Sequence, residues 1–422
     1  MRHAFLTICA LAGLVRAVAA ADAWPQFRGP GGQGHAAARR LPLTWSETSN
    51  IAWKVALPGR GWSSPVVEGR QIWLTTALEG GTSLRAVSLD LSTGSVVHDV
   101  EVFRPDNPPA INNKNSYASP TPVLESGRLY AHFGTLGTAC LDTRSGEVLW
   151  TNNELELDHK EGPGSSPVSW GKLLVIHCDG MDVQYVVALD KRSGRIAWKT
   201  NRSGKMSDNP DFRKAYSTPL VVSVDGKDQL VSPGAGRVFS YDPATGGELW
   251  SVDYPGFSNV PRPVYGGGLV FVCTGYMKPE LWAIRPGGRG DVTSTHVAWG
   301  TSRQVPANSS PLWVAGRIYM TSDGGVASCL AAEDGRLLWQ ARLGGNYTAS
   351  PLHAAGRIYF LSEDGVTTVL EAGTEPNELA KNRLDGRILA SPAVAGNALL
   401  VRTETHLYRI EEPPAGAASG GK

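Results

Sequence analysis

The residues best suited to chemistry gather in three polar stretches, each lying ahead of a proline that opens an apolar run. Asn112-Asn113-Lys114-Asn115-Ser116-Tyr117 precedes Pro120, Asp211-Phe212-Arg213-Lys214-Ala215-Tyr216 precedes Pro219, and Asn259-Val260-Pro261-Arg262 precedes Pro263. Three further loops carry His132, the run Asp158-His159-Lys160-Glu161, and Tyr276-Met277-Lys278. Cations set among tyrosines recognise a polar or anionic ligand, or form the anchor points of a protein interface. The candidate binding set is therefore Lys114, Tyr117, His132, His159, Arg213, Lys214, Tyr216, Arg262, Tyr276 and Lys278, with no catalytic residue and no metal ligand assigned.

Other chemical motifs carry little weight. Gly29-Pro30-Gly31-Gly32-Gln33-Gly34 has the outline of a dinucleotide loop, but it follows no buried strand and opens no helix. Arg289-Gly290-Asp291 matches an adhesion tripeptide that a glycine-rich loop yields by chance. No Gly-x-Ser-x-Gly occurs, and the nine histidines show no metal-ligating spacing.

The polar stretches need a scaffold that brings them together, and a repeat of about 40 to 55 residues supplies it. Each copy opens on a small residue and Pro, passes through two apolar runs split by a glycine turn, and closes on Trp. The markers are Pro65, Pro120, Pro167, Pro219, Pro263, Pro311, Pro351 and Pro392, and the closing residues include Trp150, Trp198, Trp250, Trp299 and Trp339. Asp-x-x-(Ser/Thr)-Gly, as in Asp142 to Gly146, makes the turn before the last strand, with Asp accepting backbone hydrogen bonds and Gly taking positive φ. Four short strands cannot cover both faces of their own sheet, so neighbouring copies must pack on one another. The eighth copy stops after His406 to Ile410, whereas Asn50-Ile51-Ala52-Trp53-Lys54 reads like the end of a copy. The expectation is an all-β, eight-bladed β-propeller of four-stranded antiparallel blades, closed by the N-terminal strand completing the C-terminal blade. In such a meander the entry to each inner strand and the loop between its second and third strands share one face, where the polar stretches would converge on an axial funnel.

Charge and termini narrow the function classes. With 40 basic and 39 acidic residues, the chain has no electrostatic pull toward nucleic acid or an anionic membrane. Arg2 and His3 lead into apolar Phe5 to Val15 and then small residues Ala17 to Ala21, the pattern of a cleaved signal peptide over residues 1–21 with no convincing lipobox. The apolar run is too short to span a bilayer. The reading is an exported protein, periplasmic or extracellular and monomeric, with the propeller over 22–410 and a disordered Pro/Ala/Gly tail over 411–422. Cys140, Cys178, Cys273 and Cys329 fall at strand positions that suit buried free thiols.

The phrase Leu-Asp-x-x-(Ser/Thr)-Gly-x-x-x-Trp, as in Leu141 to Trp150 and Leu189 to Trp198, resembles the pyrroloquinoline-quinone (PQQ)-like repeat. The resemblance runs from about Asp22 to Ile410. Trp24-Pro25-Gln26-Phe27-Arg28-Gly29-Pro30 and Leu57 to Pro65 also resemble a group of exported bacterial PQQ-like propellers. The resemblance implies one of two roles. One is a non-enzymatic propeller like the assembly factor BamB, binding an envelope protein partner or a small polar or anionic ligand, with no cofactor. The other is a quinoprotein dehydrogenase acting on alcohols or sugars, with PQQ and calcium on the axis. Such dehydrogenases typically carry a disulfide between adjacent cysteines, and no two cysteines are adjacent here. The first role is the expectation.

Overall fold

The computed structural model describes residues 23–412, so the signal-peptide assignment and most of the tail lie outside the described residues. Eight sheets built of four antiparallel strands follow one another around an axis, seven of them with their strands in the order of the chain. The first blade comprises Val66–Glu68, Gln71–Leu78, Ser83–Asp90 and Val96–Phe103. The last comprises Ala393–Ala395, Ala398–Arg402 and His406–Ile410, and its outer strand is Ile51–Ala56 from the other end of the chain. Trp53 pairs with Arg409 and Val55 with Leu407 in that closing ladder. The two sheet edges that would have faced water are thereby joined.

Val66–Glu68 touches both Val123–Glu125 and Ala393–Ala395, its neighbours around the ring. The register corrects one marker. Val123 aligns with Val66 as the first inner-strand residue, so the blade-opening proline of the second copy is Pro122 and not Pro120. The repeat Ser119-Pro120-Thr121-Pro122 offers both choices, and only strand pairing separates them.

Blades are fastened by their outer tryptophans. Trp150 Nε1 donates to Lys191 O at 3.0 Å, Trp198 to Pro243 O at 3.1 Å, Trp299 to Ala332 O at 3.1 Å, and Trp53 to Leu91 O at 3.0 Å. In each case the indole crosses to the turn of the next blade and lies over its glycine. The Asp90 and Asp190 carboxylates accept from the backbone of two of these turns, and Asp142 does so in the turn that faces His98, as the residue types require. The apolar core is a set of clusters between blades, such as Val123, Tyr130 and Cys140 against Leu174, Ile176 and Val187. All four cysteines at 140, 178, 273 and 329 are buried and unpaired.

Trp250 breaks the pattern. It is fully buried and donates to Gln229 Oε1 at 2.7 Å within its own blade. The next blade lacks an Asp-x-x-Ser-Gly turn, and Gly290–Asp291 instead adds a parallel fifth strand against Trp250 and Ser251. The tripeptide Arg289-Gly290-Asp291 is therefore edge structure on the fourth blade.

The segment before the closing strand fills the axial channel. Trp24 pairs with the free edge of Val67, and Leu124 N donates to Pro25 O at 2.8 Å. Tyr265 N donates to Gln33 Oε1 at 2.7 Å, and His353 N donates to Gly34 O at 2.9 Å. Residues 24–36 thus satisfy inner-strand edges of four blades that would otherwise face the channel. The glycine-rich run belongs to this plug, where Gly31, Gly32 and Gly34 all adopt positive φ.

Candidate functional site

Inner strands begin at one rim of the ring, and their entry residues form a belt of hydroxyls. Ser64 N donates to Thr121 Oγ1 at 2.9 Å, Thr121 N to Ser166 Oγ at 2.9 Å, and Ser166 N to Thr218 Oγ1 at 3.0 Å. On the other side Arg262 N donates to Ser310 Oγ, Ser310 N to Ser350 Oγ, and Ser350 N to Ser391 Oγ, all at 2.9–3.0 Å. A Ser or Thr before the marker proline thus ties six of the eight seams between blades. Arg262 takes that place in the fifth blade.

Above the belt opens a cavity of about 640 Å³. Ser64, Thr121, Ser166 and Thr218 line it, Phe27 of the plug contributes from below, and Lys114, Lys160, Glu161, Asp211, Lys214 and Tyr216 form much of the wall. Lys214 Nζ lies 2.9 Å from Asp211 Oδ1 and 3.9 Å from Glu161 Oε1, and Lys160 pairs with the same Asp211 oxygen. These two lysines hold the Asp211 carboxyl down to about 2. Across the mouth, Lys114 Nζ sits 2.7 Å from Glu363 Oε1, which also accepts from Thr348 at 2.6 Å. Burial pushes the Glu363 carboxyl up, but the bonds from Lys114, Thr348 and Arg387 outweigh it and leave it below the usual range. The lysines of the wall are therefore matched by carboxylates of the same chain.

The lip of the cavity is aromatic. Phe212 and Phe257 have ring centroids 4.5 Å apart, and Tyr276 meets Phe257 edge-on at 6.0 Å. Phe212 is 45% exposed, Tyr276 59% and the adjoining Met277 70%. These side chains come from the entries to the fourth and fifth blades and from the second-to-third-strand loop of the fifth, which the meander brings to one face.

Of the ten residues proposed from the sequence, Lys114, Lys214, Tyr216 and Tyr276 line this cavity. The other six do not, each for a local reason. Tyr117 turns away to donate to Pro109 O at 2.7 Å and packs on Gly81. His132 is buried against Thr138 Oγ1 at 2.8 Å. His159 is buried behind the wall, accepting from Thr135 N at 3.2 Å while its carbonyl accepts from Tyr216 Oη at 2.7 Å. Burial lowers the His132 imidazole to about 3 and that of His159 to about 4. Arg213 is consumed by the carbonyls of Ser207, Met181 and Asp208. Arg262 lies under the cavity, donating to Phe27 O at 2.7 Å and Pro219 O at 3.1 Å. Lys278 is exposed and outside the lining. Sequence reasoning missed the hydroxyl belt and Phe27, although a hydroxyl residue before nearly every marker proline was visible.

A second polar cluster has the order of a catalytic triad without its access. Ser232 Oγ lies 3.2 Å from His177 Nδ1, and His177 Nε2 lies 3.3 Å from Asp179 Oδ2. Arg202 Nε donates to both Asp179 oxygens at 3.0 Å, and Ser232 is wholly buried. The cluster stitches the third blade to the fourth.

The family model described as outer membrane protein assembly factor BamB matches residues 43–200, 182–292 and 281–375. The chain belongs to that family. BamB from Moraxella catarrhalis superposes with a TM-score of 0.58 at 13% identity, covering 85% of this chain and 99% of that one. Quinohemoprotein alcohol dehydrogenase from Comamonas testosteroni superposes with a TM-score of 0.64 at 10% identity, covering 96% and 83%. At such identities the likeness shows the shared fold alone. Quinoprotein ethanol dehydrogenase of Pseudomonas aeruginosa is 25% identical over 202 residues, 44% of this BamB-family chain and 30% of the dehydrogenase. The match spans under a third of that enzyme's length. No helix among the described residues is long and apolar enough to cross a membrane.

Proposed function

We propose that this chain is an exported binding and scaffold module whose funnel receives a segment of an envelope protein. The observation that carries the reading is the pairing of a charge-matched polar wall with an exposed aromatic lip. Phe212, Phe257, Tyr276 and Met277 supply rigid or adaptable apolar anchors of the kind that dominate protein interfaces. The belt hydroxyls beneath offer donors and acceptors to a peptide backbone at no cost in charge burial.

PQQ is a tricarboxylate, and in the relatives' chemistry it would come with calcium. Holding it here would need cations free to meet its carboxylates, and Lys114, Lys160 and Lys214 already pair with Glu363, Asp211 and Glu161. Among the described residues, no three His, Cys, Asp or Glu side chains are grouped to hold a metal ion. The donor set does not suit that pair of ligands. The sequence match to quinoprotein ethanol dehydrogenase is what favours the second reading, an alcohol or sugar dehydrogenase.

One experiment separates the two. A photo-crosslinking residue at position 276 should yield a discrete adduct in envelope extract, absent when the crosslinker sits at position 316 in the opposite-face turn and weakened by Phe212→Ala. Incubation with PQQ and calcium should give no dye-linked oxidation of alcohols or aldoses. Turnover in that assay would overturn the proposal in favour of the dehydrogenase.

A further inference from the structure

Beneath the cavity, the plug holds two guanidinium groups in an arrangement the binding role does not use. Arg28 is 2% exposed and Arg262 1%. Arg28 Nη2 donates to Pro311 O at 2.7 Å and Gln33 O at 3.2 Å, and Arg262 donates to Phe27 O and Pro219 O. All four partners are neutral carbonyls. Among the described residues, neither arginine has a carboxylate within 4.0 Å. Arg28 Nε and Nη1 are buried with no hydrogen-bond partner at all.

Burying one unpaired charge is expensive, and burying two like charges near each other more so. Desolvation and then the neighbouring Arg262 push the Arg28 guanidinium down to about 9, and burial alone takes Arg262 to about 9, so both remain charged at neutral pH. The backbone also bends to keep Arg28 inside. Arg28 is a non-glycine residue at φ 65, a conformation that persists only where its surroundings over-determine it. The two guanidiniums rest on glycines. A Cβ at Gly34 would stand 2.7 Å from Arg28 Nη2, and one at Gly32 would collide with the Arg262 guanidinium. Charge, orphaned donors and a glycine cradle all ask for the same complement.

We infer that Arg28 and Arg262 bind a small monovalent anion of the halide class, which locks the plug to the fifth and sixth blades. An anion accepts the orphaned Arg28 N–H groups and screens the repulsion between the two guanidiniums. The inference is independent of what the funnel receives.

The test uses bromide as the probe on the full chain. Crystals grown with millimolar bromide should show an anomalous peak within hydrogen-bonding reach of both guanidiniums. Unfolding in sodium chloride against sodium gluconate at constant ionic strength should show the folding equilibrium rising about tenfold per tenfold halide above the dissociation constant. Arg28→Met should abolish that dependence. Should the variant not fold, the wild-type map and melts decide alone. No peak beside Arg28 together with halide-independent unfolding would overturn the site. So would a peak seen only at molar bromide, which would mark an adventitious ion only.

Discussion

The fastening of each indole over the next blade's turn makes a sharp stability prediction within one blade. Gly335 and Gly316 both belong to the sixth blade and have nearly equal backbone angles, φ 73 and φ 78. A Cβ at Gly316 would meet nothing within 4 Å, whereas one at Gly335 would lie 2.6 Å from Trp299 Cε3. Alanine at either site pays about 1–2 kcal/mol for the left-handed conformation. Only at 335 does it also drive a methyl into a ring that is pinned by its own bond to Ala332 O at 3.1 Å. Overpacking of this kind costs about 1–3 kcal/mol more.

Gly335→Ala should therefore destabilise by about 2–5 kcal/mol and Gly316→Ala by about 1–2 kcal/mol. Urea unfolding followed by circular dichroism reads both. Trp299→Ala supplies the cross-check, because removing the ring should erase the difference between the two alanines. A double-mutant cycle between Gly335→Ala and Trp299→Ala should then return a coupling of about 1–3 kcal/mol. Equal costs for the two glycine variants, or a cycle that closes to zero, would refute the argument that inter-blade packing rests on this contact.

Two further outcomes follow from the same physics. His132 and His159 are held neutral at about 3 and about 4 by burial, against about 6.5 in the unfolded chain. The unfolded state alone takes up protons below pH 6.5, so stability should fall as pH drops, by about 2 kcal/mol per histidine at pH 5. A denaturation midpoint that stays flat from pH 7 to 5 would contradict this. The closing seam should be as strong as an ordinary one, since Trp53 reaches Leu91 O as Trp150 reaches Lys191 O. Trp53→Ala and Trp150→Ala should each cost about 2–4 kcal/mol, and a harmless Trp53→Ala in urea unfolding would show that closure is weaker than the other joints.

The architecture was legible because its signal is periodic. Eight marker prolines, a turn with fixed Asp and Gly, and an orphan outer strand around Trp53 each report on backbone geometry repeated many times over. Where the repeat stammers, the reading slipped. With two prolines two residues apart, the second blade's start is read at Pro120, and strand register moves it to Pro122. The site was half legible for a different reason. Loop order shows which stretches reach the funnel face, and so it found Lys114, Lys214, Tyr216 and Tyr276. It does not show which way a side chain leaves its loop, and Tyr117, Arg213 and His159 found backbone partners behind the wall. The plug was invisible because residues 24–36 pair through their backbone with edges scattered across the ring, which leaves no period in the side chains.

The departures from the repeat are themselves informative, since a toroid needs nothing from a blade but to resemble its neighbours. Arg262 replaces the belt hydroxyl of the fifth blade, Trp250 loses its partner turn to Gly290–Asp291 on the fourth, and Phe212, Tyr276 and Met277 are exposed beside them. All lie on the fourth and fifth blades or at their entries. The sixth and seventh blades, by contrast, keep close to the minimal repeat, with near-identical strand lengths and burial patterns. Stability gives no reason for the fourth and fifth blades to expose aromatics while the sixth and seventh do not. On the proposed binding role this arc is where the partner engages, and substitutions there should alter binding while leaving the unfolding of the regular blades unchanged.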